Sequence, residues 1–568
     1  MTHATPWTAS YPPTLRWDSE IPLRPVDQIL DDAVARWPDQ VAIDFMGRRF
    51  SYAELAQLVA RAAKGLQALG VGPGVHVGLY LANTPHYMIS FFAVLKAGGV
   101  VVNYSPLDAE KVLEHKIGDS QTDVLVTLDF QALYPQMDRL LASTRLKTLV
   151  VGTLGEMTAH SAAVTQQLRG AGQLSEVAFD ARHVAFANLI DNDGAYTRHD
   201  IGDPRDALAV LQYTGGTTGL PKGAMLTHGN LSAANQQYWL TSTQGGANLQ
   251  EGAERFLCVL PPFHIYALSV NMLLGVRLGA TQILHTRFEP EPILKDLAAK
   301  KVTVFPGVPT MYTAINHFPG VEQFDLRALK YCGSGGAPLP VEVHQRFMQL
   351  TGCSLSEGWG MTETSPSGTF SPVTGPQRVG SCGLPMPGIT IRFVQLDNPD
   401  AYVAPGERGE IVIRGPNVMK GYWGNAAATA EAFNLDGYMR TGDVGLMDAE
   451  GYIHIVDRTK DMLLCSGYNV YPRVLEEAVY KHPSVAEVAV IGIRDEYRGQ
   501  SPKAFIVLKA GAEDVTLKDM QSFLKDKLGK HEMIQAIELR SELPKTAVGK
   551  ISKKDLYDEE ERRTAARA

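Results

Sequence analysis

The sequence predicts an α/β protein: a large N-terminal domain of βα-wound sheets, a small β unit, and a smaller α+β C-terminal domain. Three observations carry this. Over the first 150 residues, short apolar runs alternate with amphipathic segments. From Gly383 to Tyr452 short alternating strands are broken by frequent Gly and Pro, as in "GERGEIVIRGPNVMKGYW". Beyond Lys460 the chain returns to βα and ββ texture and ends in a charged helix after Ile551. Strands alternating with helices imply a mostly parallel sheet covered by helices.

The elements follow in order. Ser51 and Glu54 in "FSYAEL" have capping-box spacing. Leu55, Leu58, Val59, Ala62, Leu66 and Leu69 then repeat at helical intervals until Gly70 stops the helix. "HVGLYL" (His76 to Leu81) reads as a buried strand, and Thr84-Pro85 opens a helix that runs to about Gly98. "VVVNY" (Val100 to Tyr104) is the next strand. The polar stretch Asp191 to Asp206 reads as a surface connection, and the apolar run Ala207 to Gln212 as a strand leading into a Gly/Thr-rich loop.

Composition narrows the function classes. The 568 residues allow several compact units, and 45% hydrophobic with 20% charged residues is ordinary for a globular chain. A net charge of −8 supplies no basic footprint, so nucleic acid is not an expected partner. The N-terminus lacks a basic start and an apolar run, and "MISFFAVL" (Met88 to Leu95) is too short to span a bilayer. The sequence leaves contact with a membrane surface and homodimerisation open. Five scattered cysteines without a CxxC pair read as small core residues in a reducing cytoplasm.

The chemistry begins at "YTGGTTGLPKG" (Tyr213 to Gly223). Glycine lets backbone amides approach an anion and threonine hydroxyls add donors, so Gly215, Gly216, Thr217, Thr218 and Gly219 can wrap phosphate oxygens, with Lys222 adding a charge. It is not a Walker loop, because Leu220-Pro221 separates the last glycine from the lysine and Pro221 disfavours the helix start such a loop needs. The string closely resembles the phosphate-binding signature of the adenylate-forming superfamily of acyl-CoA synthetases, luciferases and peptide-synthetase adenylation domains, in which Thr214 also belongs to the nucleotide site. Further stretches extend the resemblance over nearly the whole chain.

"EGWGMTETSP" (Glu357 to Pro366) sets an aromatic for stacking on a purine, a hydroxyl and a carboxylate close together. The resemblance assigns Glu357, Gly358, Trp359 and Thr362 to ATP and Glu363 to Mg²⁺, with Trp359 standing where tyrosine is usual. In "YCGSGGAPLP" it assigns Gly335, Gly336 and Ala337 to the adenine side. In "GYMRTGDVG" Asp443 matches the residue that accepts the ribose hydroxyls, and in "VDRTKDMLLCSGYNVYP" Arg458 also matches a ribose contact. Lys460 there occupies the hinge, and Ser466 and Gly467 match the CoA tunnel; Val474 replaces the usual glutamate. Lys550 in "LPKTAVGKI" is in register with the catalytic lysine, while "GKHEMIQ" departs from the usual pattern upstream. "PPFHIYA" supplies His264 and Tyr266, which with Gly335 border the acyl group; amino-acid activators carry Asp at the histidine position.

The resemblance therefore implies an AMP-forming acyl-CoA ligase using ATP, CoA and Mg²⁺, with Lys550, Thr218, Glu363 and His264 as its catalytic set. Residues 1–457 form the N-terminal domain, 458–460 the hinge and 461–568 a mobile C-terminal domain. "HIYALSVNMLLGVRLGA" (His264 to Ala280) carries a single charge, Arg277, and with "GVPTMYTAI" suggests an apolar acyl tunnel; both stretches resemble those of medium- or long-chain fatty acyl-CoA synthetases, which implies such a fatty acid. The alternatives are a dicarboxylic or aromatic acid, transfer to a carrier protein in place of CoA, and a nonenzymic nucleotide-binding module.

Overall fold

The computed structural model describes residues 5–214, 221–337, 339–374, 378, 380–466, 468–495, 498–546 and 549–565. Two seven-stranded sheets form the body. The first has the spatial order His183–Ala185, Thr148–Gly152, Thr122–Leu128, His76–Leu79, Val100–Asn103, Leu208–Tyr213, Gly223–Thr227. Its pairs are parallel except the last, which is antiparallel. The second runs Leu355–Glu357, Tyr331–Ser334, Val304–Gly307, Arg255–Cys258, Thr281–Leu284, Val41–Phe45, Arg48–Ser51, again closed by one antiparallel pair.

The helix expected after Ser51 is Tyr52–Ala68, and it buries Leu55, Val59, Ala62 and Leu66 on one face. Ser51 Oγ accepts from the Glu54 N–H at 3.1 Å, but the box is not closed: Glu54 Oε1 instead accepts from Arg48 at 2.8 Å, drawn off by a guanidinium. Gly70, at φ +86°, ends the turn in a conformation that only glycine adopts cheaply. Every residue of helix Pro85–Lys96 is buried, which explains why its sequence is apolar all round rather than amphipathic.

The β unit is a four-stranded antiparallel sheet, Thr390–Val394, Gly409–Arg414, Met439–Met447 and Ile453–Arg458, so it extends past Tyr452. The C-terminal region has its own sheet, in which Gly499–Leu508 pairs with Val485–Asp495 and, in parallel, with Ala536–Arg540. Leu463, Leu475, Val490, Ile506 and Met520 fill a separate core there. The charged helix is Lys553–Ala565. All five cysteines are buried and unpaired. Among the described residues no helix is long and apolar enough to cross a membrane.

Candidate active site

The Gly/Thr segment joins two antiparallel strands. Tyr213 pairs with Gly223, and the Thr214 N–H donates to Lys222 O at 3.0 Å, so the chain leaves the sheet and returns at once as strand Gly223–Thr227. A Walker loop would continue into a helix here, and the rejection of that motif holds. Gly215, Gly216, Thr217, Thr218 and Gly219 lie outside the described residues. Lys222 Nζ sits 5.0 Å from the centroid of the Tyr422 ring.

Gly335, Gly336 and Ala337 follow strand Tyr331–Ser334 at its carboxyl end, the end where open parallel sheets place their ligands. Lys550 reaches the same point from the tail. A Cβ on Gly336 (φ +81°) would lie 2.5 Å from Lys550 Cε and 3.0 Å from Nζ. The tail loop is anchored next to it, where Thr310 Oγ1 donates to Gly549 O at 3.2 Å. Burial, and then the Arg458 guanidinium, bring the Lys550 ammonium down to about 8, against the pull of Asp443. His264 is pushed down to about 3, by burial first and then by Lys550, and is therefore a neutral ring.

Asp443 and Arg458 face each other across antiparallel strands and pair at 3.0 Å. Asp443 is buried, and its second oxygen accepts from Trp359 Nε1 at 2.8 Å. Both carboxylate oxygens expected for ribose hydroxyls are thus already engaged once, although each keeps a second lone pair. Trp359 was read as a stacking ring only. The structure adds a hydrogen bond donated from the ring edge, and the Gly368 backbone backs the six-membered ring: a Cβ there would lie 2.7 Å from Cε3.

Thr362 and Glu363 lie in a short 3-10 turn, Thr362–Thr364. Glu363 is buried, its carboxyl raised by that burial, and Oε1 accepts from the Tyr422 hydroxyl at 2.9 Å. Tyr422 thereby links Lys222 at the phosphate loop to Glu363. Sequence reading missed it; its only signal is an aromatic within "MKGYW" (Met419 to Trp423). Glu357 ends strand Leu355–Glu357, and burial pushes its carboxyl up to about 7, opposed by Arg473. The Gly358 N–H donates to Ser334 O at 3.3 Å, tying this strand end to the glycine turn.

Among the described residues no three His, Cys, Asp or Glu side chains converge as a metal cluster. Glu363 offers one buried carboxylate here, the kind of oxygen donor that could hold Mg²⁺.

Tyr266 Oη donates to Gly333 O at 3.1 Å, and its ring fills the space a side chain on Gly335 would need, 3.2 Å from the missing Cβ. The segment after it, Ala267–Leu273, is wound as a π-helix, a rare form that is frequent at functional sites. Lys460 lies in the turn after strand Ile453–Arg458, where the Asp461 and Met462 N–H groups both donate to Arg458 O. Ser466 takes no part in the Lys550 contacts: it is exposed at the turn of a hairpin, at φ +54°, with its N–H donating to Arg498 O at 2.7 Å. Gly467 lies outside the described residues.

Residues 30–423 match the family of AMP-binding enzymes, and residues 474–550 match the AMP-binding enzyme C-terminal domain. The chain is 38% identical to a long-chain-fatty-acid–CoA ligase of Bacillus subtilis, covering 98% of both chains. It is 36% identical to one of Escherichia coli O157:H7, covering 94% of both. It superposes on the anthranilate CoA ligase AuaEII in complex with anthranoyl-AMP with a TM-score of 0.83 at 25% identity, over 96% of this chain and 99% of that one.

Proposed function

The chain belongs to the AMP-binding enzyme family, and from this we propose that it is an AMP-forming acyl-CoA ligase that activates a medium- or long-chain fatty acid with ATP and passes the acyl group to CoA. The observation that carries the reading is the seating of Lys550, a residue of the tail, against Gly336 and beside the Asp443–Arg458 pair. A buried ammonium beside a guanidinium is costly on its own. It becomes favourable when the triphosphate of ATP brings negative charge between them.

A carboxylate is a poor electrophile, and adenylation gives it a good leaving group. The substrate oxygen attacks the α-phosphorus and pyrophosphate departs. The protein's work is to orient the two reactants and stabilise charge on the transferring phosphoryl group. Lys550 and Lys222 supply that charge, Asp443 and Arg458 hold the ribose, and Gly335 to Ala337 with Trp359 hold the adenine. Glu363 would hold Mg²⁺, which would supply neutralising charge at the phosphate oxygens. Thr214 to Gly219 are assigned to the phosphate oxygens by the family resemblance alone, residues 215–219 lying outside the described residues. His264, neutral, lies at the acyl carboxylate together with Tyr266 and Gly335.

For the second half-reaction we take residues 1–457 as a fixed body, 458–460 as the hinge and 461–568 as the part that turns. Turning withdraws Lys550 and brings Ser466 and Gly467 to the site, where the CoA sulfur attacks the acyl carbonyl and AMP leaves. Unpaired cysteines suit the cytoplasm, which supplies ATP and CoA. A panel of acids of graded length, scored by AMP formation that requires both ATP and CoA, tests the reading. Activity rising with apolar length supports it, and AMP formation that ignores the acid contradicts it.

A further inference from the structure

The loop that carries His264 has little backbone of its own to hold it. Of the four residues before the histidine, Leu260 to Phe263, two are prolines without an N–H, and the His264 N–H folds back on Pro261 O at 3.0 Å. Three carbonyls of this loop are taken by side chains from other elements. Asn83 Nδ2 donates to Leu260 O at 2.9 Å, the Tyr87 hydroxyl to Pro262 O at 2.8 Å, and Gln212 Nε2 to Phe263 O at 2.7 Å.

The last two donors are themselves joined. Asn103 and Gln212 are register partners on adjacent parallel strands, Val100–Asn103 and Leu208–Tyr213, so their side chains share one face near the carboxyl ends of those strands. Asn103 Nδ2 donates to Gln212 Oε1 at 2.9 Å. The Tyr87 hydroxyl lies 2.8 Å from Asn103 Oδ1 as well as from Pro262 O, and shares its one proton between them. Asn83, Tyr87, Asn103 and Gln212 are all buried, so a severed bond leaves a polar atom with no water to replace the lost partner. The reaction as derived uses none of the four.

This relay meets the site from two sides. Gln212 directly precedes Tyr213 and Thr214, where the strand enters the phosphate loop. Phe263 leads straight into His264, whose ring feels the Lys550 ammonium. The Tyr266 N–H donates to His264 Nδ1 at 3.3 Å, so the neutral ring carries its hydrogen on Nε2 and offers that N–H as a donor. A carboxylate accepting from Nε2 is placed against the α-phosphorus only as accurately as the loop beneath the ring is held.

We propose that Gln212, Asn103 and Tyr87, with Asn83, are positioning residues that fix His264 relative to the phosphate-loop strand and so set the aim of the fatty carboxylate at the α-phosphorus. This rests on the acyl-CoA ligase reading above. Their effect passes through the Leu260–Phe263 backbone to a single ring, and a network in which each member satisfies the next holds one geometry rather than several.

The test measures pyrophosphate exchange with dodecanoate as the acid, reading KM separately for the acid and for ATP, in Tyr87→Phe and Gln212→Leu, each alone and combined with His264→Ala. Tyr87→Phe removes one hydroxyl and keeps the ring, so the test stands even where Gln212→Leu fails to fold. We expect kcat/KM for dodecanoate to fall by about tenfold or more in each single variant, the scale of misplacing a reacting group by a fraction of an ångström. KM for ATP should stay near its wild-type value in Tyr87→Phe. In the His264→Ala background neither substitution should cost anything further, the mark of an effect carried by that ring. A loss just as large in that background, a loss shared by KM for ATP in Tyr87→Phe, or no loss in the single variants overturns the proposal and leaves the ligase reading standing. Absence of exchange with every fatty acid in the wild type overturns both.

Discussion

At the residue scale the site is organised around Lys550, whose ammonium is held at about 8 by burial and by Arg458. The direction fixes the pH behaviour. The docked tail binds its proton less tightly than the free tail, so the penalty for docking without nucleotide is fully present below pH about 8 and disappears as the pH climbs towards the ordinary lysine range. Catalysis needs the protonated form, so kcat/KM for adenylation should fall as the pH rises through about 8. Lys550→Arg keeps its charge throughout and should lose that alkaline fall, whatever its absolute rate; a profile unchanged by the substitution would remove Lys550 from the titration. The importance of this lysine is legible in the sequence only through register with a family motif, since "KTAVGKI" by composition is a solvated basic turn. The Trp359–Asp443 hydrogen bond was not legible, because 84 residues separate its partners and no periodicity joins them.

At the element scale the helices were read where one face is buried and the other wet, as in Tyr52–Ala68, and strands where apolar runs are bounded by turns. The same helix shows how tertiary contact overrides propensity. Gly65 lies inside it, where alanine should help by about 1 kcal/mol. A Cβ at Gly65, however, would lie 2.1 Å from Leu189 O, a backbone atom that cannot rotate away. Gly65→Ala should therefore destabilise the protein, by about 1–3 kcal/mol as for other overpacked positions, read from denaturant unfolding. A stabilised variant would mean that the Leu189 segment yields freely. The π-helical winding of Ala267–Leu273 left no trace in the sequence either, since its apolar residues fit an ordinary helix equally well.

On the scale of the whole molecule, two seven-stranded sheets and a β unit carry the nucleotide and acyl residues, and the tail supplies one lysine to them. The order of sheets could not be read from the sequence, because Val41–Phe45 joins a sheet whose other parallel strands begin at Arg255. Such a pairing has no local signal. The proposed turn at Lys460 predicts a separation of the half-reactions. Proline at position 460 fixes φ within the turn closed by the Asp461 and Met462 N–H groups on Arg458 O, so Lys460→Pro stiffens the pivot. Adenylation should persist, and thioester formation should drop by at least about tenfold, equivalent to about 1.4 kcal/mol in the barrier. Equal loss of both steps would show that the segment does not act as a pivot.

The most direct measurement is fatty-acid-dependent exchange of labelled pyrophosphate into ATP in the absence of CoA. The account predicts exchange with the wild type and its loss by at least about 10²-fold in Lys550→Ala, the size expected for removing one transition-state donor. That variant should still form acyl-CoA from supplied acyl-AMP. Acyl-CoA production by the wild type with no exchange at all, or exchange undiminished in Lys550→Ala, would contradict it.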